Sequence, residues 1–169
     1  MKWVRLGLQI IGAAALLALS VFGWMIYRDM TEHVGAAGKN DVLFILNWGG
    51  IKTDQEIRVI GSYRSPRNLT GDHSDSYCIQ ISKFDLADFA KDEWQDGPAA
   101  NPILADALEL AVNDARQRAS CFPTFDEANS SAMKISFTSV VVHDGQATAA
   151  DIILYAPETK MLYYVSFKT

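Results

Sequence analysis

The stretch YRSPRNLTGDHSDSY, Tyr63–Tyr77, gathers the most varied chemistry in the chain: two arginines, two aspartates, a histidine, an asparagine and several hydroxyls. Arg64 and Arg67, with Pro66 stiffening the space between them, have the donors to hold a phosphate or carboxylate in bidentate fashion. The competing reading pairs both with Asp72 or Asp75 nearby, as surface arginines commonly do without consequence. Asp72, His73 and Asp75 are suitable metal donors by type, but Asp72 and His73 are adjacent and a first shell needs help from elsewhere. His143 and Asp144 supply it only if their hairpin end meets this loop. The alternating oxygen ligands and terminal glutamate of a calcium loop are missing. A hydrated polar turn accounts better for the pattern, and no metal is assigned. Arg64, Arg67, Asp72, His73 and Asp75 are therefore read as an exposed partner-binding surface or a plain connection, not an active site.

The usual catalytic signatures are missing. There is no G-x-S-x-G turn, phosphate loop, dinucleotide glycine fingerprint or H-E-x-x-H. No carboxylate pair can be placed at a reaction-competent separation, so no catalytic residue and no cofactor are assigned. Cys78 and Cys121 have only three histidines to draw on as activating bases. In an oxidising compartment they pair as a disulfide closing a loop of about 43 residues, against an alternative of two separately buried thiols. Trp48, beside Gly49-Gly50, forms either an aromatic contact surface with Trp94 or part of the core.

The elements that position these residues follow from period. Glu32–Asn40 is small and polar, a linker. Val42–Trp48 (VLFILNW) is a continuous apolar run suited to a strand buried on both faces. A second strand is expected at Glu56–Tyr63, with Ile57, Val59 and Tyr63 on one face and Arg58, Ile60 and Ser62 on the other. The third spans Tyr77–Phe84, where Tyr77, Ile79 and Ile81 alternate with Cys78, Gln80 and Ser82. Asp85–Ala90 reads as a helical turn, and KDEWQDGPAA as a polar connection. Asn101-Pro102 is an N-cap and first-turn pair. Behind it, Ile103, Leu104, Ala107, Leu108, Ala111, Val112, Ala115 and Ala119 recur at helical spacing, and Arg116 and Arg118 suit the C-terminal end of the dipole.

Asp144-Gly145 predicts a type I′ hairpin turn pairing His143 with Gln146, Phe137 with Ile152 and Ile135 with Leu154. A Pro157–Lys160 loop then pairs Ala156 with Met161, Leu154 with Tyr163 and Ile152 with Val165. The two registers agree. They put Ile135–Leu154–Tyr163 and Phe137–Ile152–Val165 on one face, with Lys134, Thr138, Asp151, Ser166 and Lys168 on the other. This is a three-strand meander with one covered side. The fold class is α+β: an N-terminal transmembrane helix, then a mostly antiparallel sheet in the order β-β-β-α-β-β-β with one main helix packed on it.

Ahead of the domain, the uncharged run Leu6–Tyr27 is 22 residues, about 33 Å as a helix and enough to cross a hydrocarbon core. Trp3, Trp24 and Tyr27 mark its ends. A cleaved signal peptide is the rival. The run is long and ends in bulky residues, while the best small pair, Ala36-Ala37, lies well past it. Residues 1–28 are thus read as an anchor, 29–40 as a linker and 41–169 as an exported domain. Lys2 and Arg5 favour a cytoplasmic N-terminus, hence an inner-membrane protein with a periplasmic domain.

All 20 acidic residues follow the span, with 13 of the 15 basic ones. That balance disfavours nucleic acid; it is compatible with a basic protein partner, while ordinary solubility accounts for moderate acidity more simply. The expectation is a membrane-anchored protein-binding module, with an inhibitor or immunity protein against a toxic effector as its narrower form. The alternatives are an envelope enzyme and an accessory subunit of a membrane complex.

Overall fold

The computed structural model describes residues 2–29, 31, 33–35, 37–48, 57–67, 71–82, 94–99 and 101–169. Its contacts divide the chain into Met1–Thr31 and Glu32–Thr169. The first unit is one helix, α1 (Lys2–Asp29). Its stretch Gln9–Arg28 is long and apolar enough to cross a membrane, with a mean hydropathy of 2.1. Ile10, Ile11, Leu16, Leu17, Phe22 and Trp24 are all exposed, which suits a lipid environment and not water. Ser20 satisfies its hydroxyl within the helix, donating to the Leu16 carbonyl at 2.9 Å, as a polar group in hydrocarbon must.

The second unit is α+β. Its elements are β1 (His33–Val34), α2 (Lys39–Trp48), β2 (Ile57–Arg64), β3 (His73–Ile81), β4 (Gln95–Asp96), α3 (Pro102–Arg118), α4 (Phe125–Ala128), β5 (Lys134–His143), β6 (Gln146–Ala156) and β7 (Met161–Lys168). The strands form one antiparallel sheet in the order β1-β2-β3-β7-β6-β5-β4.

The C-terminal meander has the predicted registers at all six positions, from His143↔Gln146 to Ile152↔Val165. Asp144 and Gly145 both take positive φ, 50° and 81°, the combination a type I′ turn requires. Two bulges interrupt the β5–β6 ladder, one between Phe137 and Ser139 and one between Val141 and Val142. They put one extra residue on each strand and cancel, so a bulge-free register still pairs the outer residues correctly. α3 is also as predicted: the Asn101 side chain accepts from the Ile103 N–H at 2.9 Å, and Arg116 and Arg118 fill the last turn. Its buried face, including Ala107, Leu108, Ala111, Val112 and Ala115, packs into a core with Ile135, Ile152, Leu154, Tyr163, Val165 and Phe167.

Four expectations need correction. Val42–Trp48 is not a strand but most of α2. A short apolar run cannot be told from a buried helix by composition; the decisive spacing is Val42 and Leu46, four apart and both fully buried. The meander is covered on both sides, not one. Val42 and Leu46 pack with Tyr77, Ile79, Ile81, Ile153, Tyr155, Leu162 and Tyr164 as a second core on the opposite face.

Third, β3 begins at His73 and not at Tyr77, so the last third of the Tyr63–Tyr77 stretch is strand. Fourth, a bulge between Val59 and Gly61 turns the end of β2 over. Tyr63 therefore leaves the face of Ile57 and Val59 and lies against Arg118, 4.6 Å from guanidinium carbon to ring centroid. Within the expected linker, β1 pairs with β2, and the expected polar connection contains β4, paired with β5. Residues 85–90 lie outside the described residues. Trp94 packs against the second core.

Cys78 and Cys121 are bonded, their Cα atoms 6.3 Å apart across 43 residues of sequence. The bond runs over Gly61, where a Cβ would lie 2.7 Å from Cys121 Sγ. Glycine at the bulge is thus what admits the crosslink. In equilibrium urea unfolding, Gly61→Ala should cost about 1–3 kcal/mol in the bonded protein through overpacking. That cost should largely vanish in a Cys121→Ala background, itself about 2–4 kcal/mol less stable. Additive costs would show that the sulfur does not press on Gly61.

Candidate functional site

On the α2 side of the sheet, alternation with period two lines up one residue from each of four strands. The register runs Arg64↔Asp75 between β2 and β3, Asp75↔Ser166 between β3 and β7, and Ser166↔Asp151 between β7 and β6. The next row is Ser62, Tyr77, Tyr164 and Ile153. The sheet face thus changes from apolar to polar along the strands. α2 covers the apolar part, and its first turns border the polar part with Asn40, Asp41 and Ile45.

A cleft of about 590 Å³ opens there, lined by the charged row together with Arg67, His73, Tyr77 and Tyr164. Arg64 reaches it only because of the β2 bulge, which re-aims the side chains beyond Ile60.

Short-range geometry holds the loop base. The Ser65 N–H donates to the Ser74 carbonyl at 2.9 Å, and the Ser74 N–H donates to Ser65 Oγ at 2.8 Å. Gly71 turns the chain with φ at 79°, and its carbonyl lies 2.9 Å from His73 Nδ1. Since a carbonyl only accepts, a neutral His73 carries its proton on Nδ1. Nε2, 2.9 Å from Ser166 Oγ, is then the acceptor and the serine the donor.

That tautomer is the one a general base needs. However, Ser166 sits on a strand laddered on both sides, to β3 and to β6. Among the described residues, the strands flanking Ser166 engage their backbone in the ladder and offer no evident oxyanion site. The effect of the pair is to fix the His73 ring against the cleft floor.

Asp75 is 8 % exposed. Its Oδ2 is ion-paired with Arg67 Nη2, while Asp75 Oδ1 and Arg67 Nη1 are buried without a hydrogen-bond partner. The pairing expected between an arginine and a nearby aspartate is therefore present for Arg67, and it is incompletely satisfied. Arg64 is exposed and makes no ion pair among the described residues. At the other end of the row, Asp151 Oδ1 accepts from the Tyr164 hydroxyl at 3.0 Å.

Tyr77 and Tyr164 form the floor, ring centroids 6.1 Å apart and planes tilted by 46°. Burial first, then the negative charge of Asp75, pushes the Tyr77 phenol up to about 12, against the opposing pull of Arg64 and Arg67. Burial and the Asp151 carboxylate likewise raise Tyr164.

Of the five residues singled out in the sequence, Arg64, Arg67, His73 and Asp75 line this cleft and Asp72 does not. His143 and Asp144 stay at their hairpin tip, 79 % and 91 % exposed, and do not join it. Among the described residues no group of three or more histidines, cysteines or carboxylates is placed to hold a metal. The reading from sequence missed Asp41, Tyr77, Asp151, Tyr164 and Ser166 as cleft residues. Asp151 and Ser166 carried a signal, since alternation had already put them on the face opposite the core. Comparison with known proteins matches this chain to no family model, no curated protein and no solved structure.

The half-satisfied pair makes a stability prediction. Arg67→Ala should destabilise the domain by about 1–3 kcal/mol by leaving a buried carboxylate unpaired, and Asp75→Asn in that background should recover most of the loss.

Tyr77 makes a prediction at alkaline pH. With its folded pKa above the unfolded value, it contributes stability that is complete below about pH 10 and lost as pH rises toward 12. Tyr77→Phe should remove one late-ionising phenol from the 295 nm titration and flatten the alkaline fall in melting temperature. Loss of a phenol that ionises at about pH 10 instead would place the Tyr77 hydroxyl in water.

Proposed function

We propose that this chain is a single-pass, membrane-anchored protein-binding module. Residues 6–27 hold it in the inner membrane with the N-terminus in the cytoplasm. The α+β domain works in the periplasm, where the Cys78–Cys121 disulfide is stable. The observation that carries the reading is convergence: Arg64, Arg67, His73 and Asp75 come from the ends of two strands and the loop between them, yet line one cleft.

A site on paired strands, with its base clasped by Ser65 and Ser74, is ordered before a partner arrives and loses little entropy on binding. The acidic balance of the chain favours a basic partner through electrostatic steering. Within this class, an inhibitor or immunity protein that neutralises a toxic effector fits the design: a rigid tethered domain, charged side chains on a fixed scaffold, and a partner met outside the membrane.

The test uses the full chain in native membranes. Protease added to spheroplasts should digest the C-terminal domain without lysis, and digestion only after lysis would invert the topology. A partner captured by the wild-type chain should be lost at least tenfold with Arg64→Glu, a change at an exposed position that should leave the melting temperature within about a degree. Capture indifferent to Arg64→Glu and to His73→Gln would remove the cleft as the recognition site.

A further inference from the structure

We infer that the cleft takes a short zwitterionic peptide, two or three residues long with both ends free, its carboxylate at Arg64 and its ammonium at Asp151. The inference rests on the cleft being a recognition surface, and it goes beyond a protein partner to a small ligand taken by that same surface. Along the row from β2 to β6, the groups in the middle each have a partner within the protein, although Asp75 Oδ1 is left without a hydrogen bond. Asp75 is ion-paired with Arg67, and Ser166 is hydrogen-bonded to His73. What is left, among the described residues, is the Arg64 guanidinium without an ion pair at one end, and at the other the Asp151 carboxylate, which accepts from Tyr164 through Oδ1. Along this row the unanswered charge is positive at β2 and negative at β6, and Asp41 of α2 adds a further carboxylate to the lining.

Its length selects the ligand. Arg64 and Asp151 stand three strand spacings apart in register, about 14 Å between backbones at 4.7–4.9 Å per spacing. The reach of the arginine side chain shortens the gap, while an extended peptide covers about 7–10 Å in two to three residues. A single amino acid is too short to meet both charges. A protein terminus offers only one charged end, so it too leaves half the row unanswered.

Between the two ends, Tyr77 and Tyr164 form an aromatic floor beneath the peptide backbone. At about 590 Å³, the cleft falls within the size range of small-ligand sites, roughly 300–1,000 Å³.

The experiment is isothermal titration of the full chain in detergent micelles with Ala-Ala and Ala-Ala-Ala, each also as its N-acetyl and C-amide form. The free peptides should bind, and either cap should weaken binding to the wild type at least tenfold. Arg64→Gln should abolish the penalty for the amide while keeping that for acetylation. Asp151→Asn, which still accepts from Tyr164, should do the reverse. No heat from the free peptides, or affinity indifferent to the caps, overturns the inference. If that happens while an Arg64-dependent protein partner is still captured, the peptide ligand falls and the protein-binding role of the cleft stands.

Discussion

Strand β7 lies between β3 and β6 and buries side chains on both of its faces, Leu162, Tyr164 and Ser166 on one and Tyr163, Val165 and Phe167 on the other. A strand of this kind can exist only if each face of the sheet has a cover, and the remaining elements answer that demand. α3 supplies one cover with a face rich in alanine, which brings its backbone close to the sheet. α2 supplies the other, and it is short. Two buried residues, Val42 and Leu46, close an apolar patch that ends where Tyr77 and Tyr164 give way to Asp75 and Ser166. Full burial of such side chains stabilises by about 1.5–3 kcal/mol each, so even this small helix matters to a fold whose net stability is of the order of 10 kcal/mol. The cleft exists because the cover stops before the sheet does.

A second local feature decides what the cleft contains. Were β2 regular, the alternation that points Ile57 and Val59 toward α2 would have carried Tyr63 to that side and Arg64 away from it. The bulge before Gly61 reverses this, giving Tyr63 to Arg118 and Arg64 to the charged row. The same glycine leaves room for Cys121 over the sheet. Charge placement and crosslink therefore share one residue, and the disulfide ties β3, a wall of the cleft, to the chain beyond α3.

Much of this was legible before any coordinates. The type I′ turn at Asp144-Gly145 fixed three strands in register because two independent loops had to agree on the same apolar rows. α3 announced itself by Asn101-Pro102 and its period. The apolar run before Arg28 was visible as well, whereas the Cys78–Cys121 bond was one of two readings, the other being two separate buried thiols.

What escaped notice has physical reasons. In VLFILNW every position but Asn47 is apolar, and the choice between helix and strand fell to tertiary demand: a sheet face carrying Ile153, Tyr155, Leu162 and Tyr164 needed a helix above it. Those four residues were visible, and counting them as a second apolar row would have called for a second cover. The start of β3 was hidden by its polarity, since His73, Ser74, Asp75 and Ser76 read as loop until β7 is known to lie alongside. Gly61 was the available sign of the bulge, because an isolated glycine in a strand pattern commonly marks one. The candidate residues were found because a chemically varied segment is conspicuous; their partners on β6, β7 and α2 were not, because only the folded register brings them together.

The most direct measurement is amide hydrogen exchange on the full chain in micelles, read across Lys39–Trp48. If α2 is docked as the second cover, the amides of Val42–Leu46 exchange on the timescale of the β3–β7 ladder, and Leu46→Ala speeds them together with the amides flanking Tyr77 and Tyr164. Fast exchange through Val42–Leu46, with β7 still protected, would contradict the account. The second face would then lack its helix, and the cleft would lose the wall that defines it.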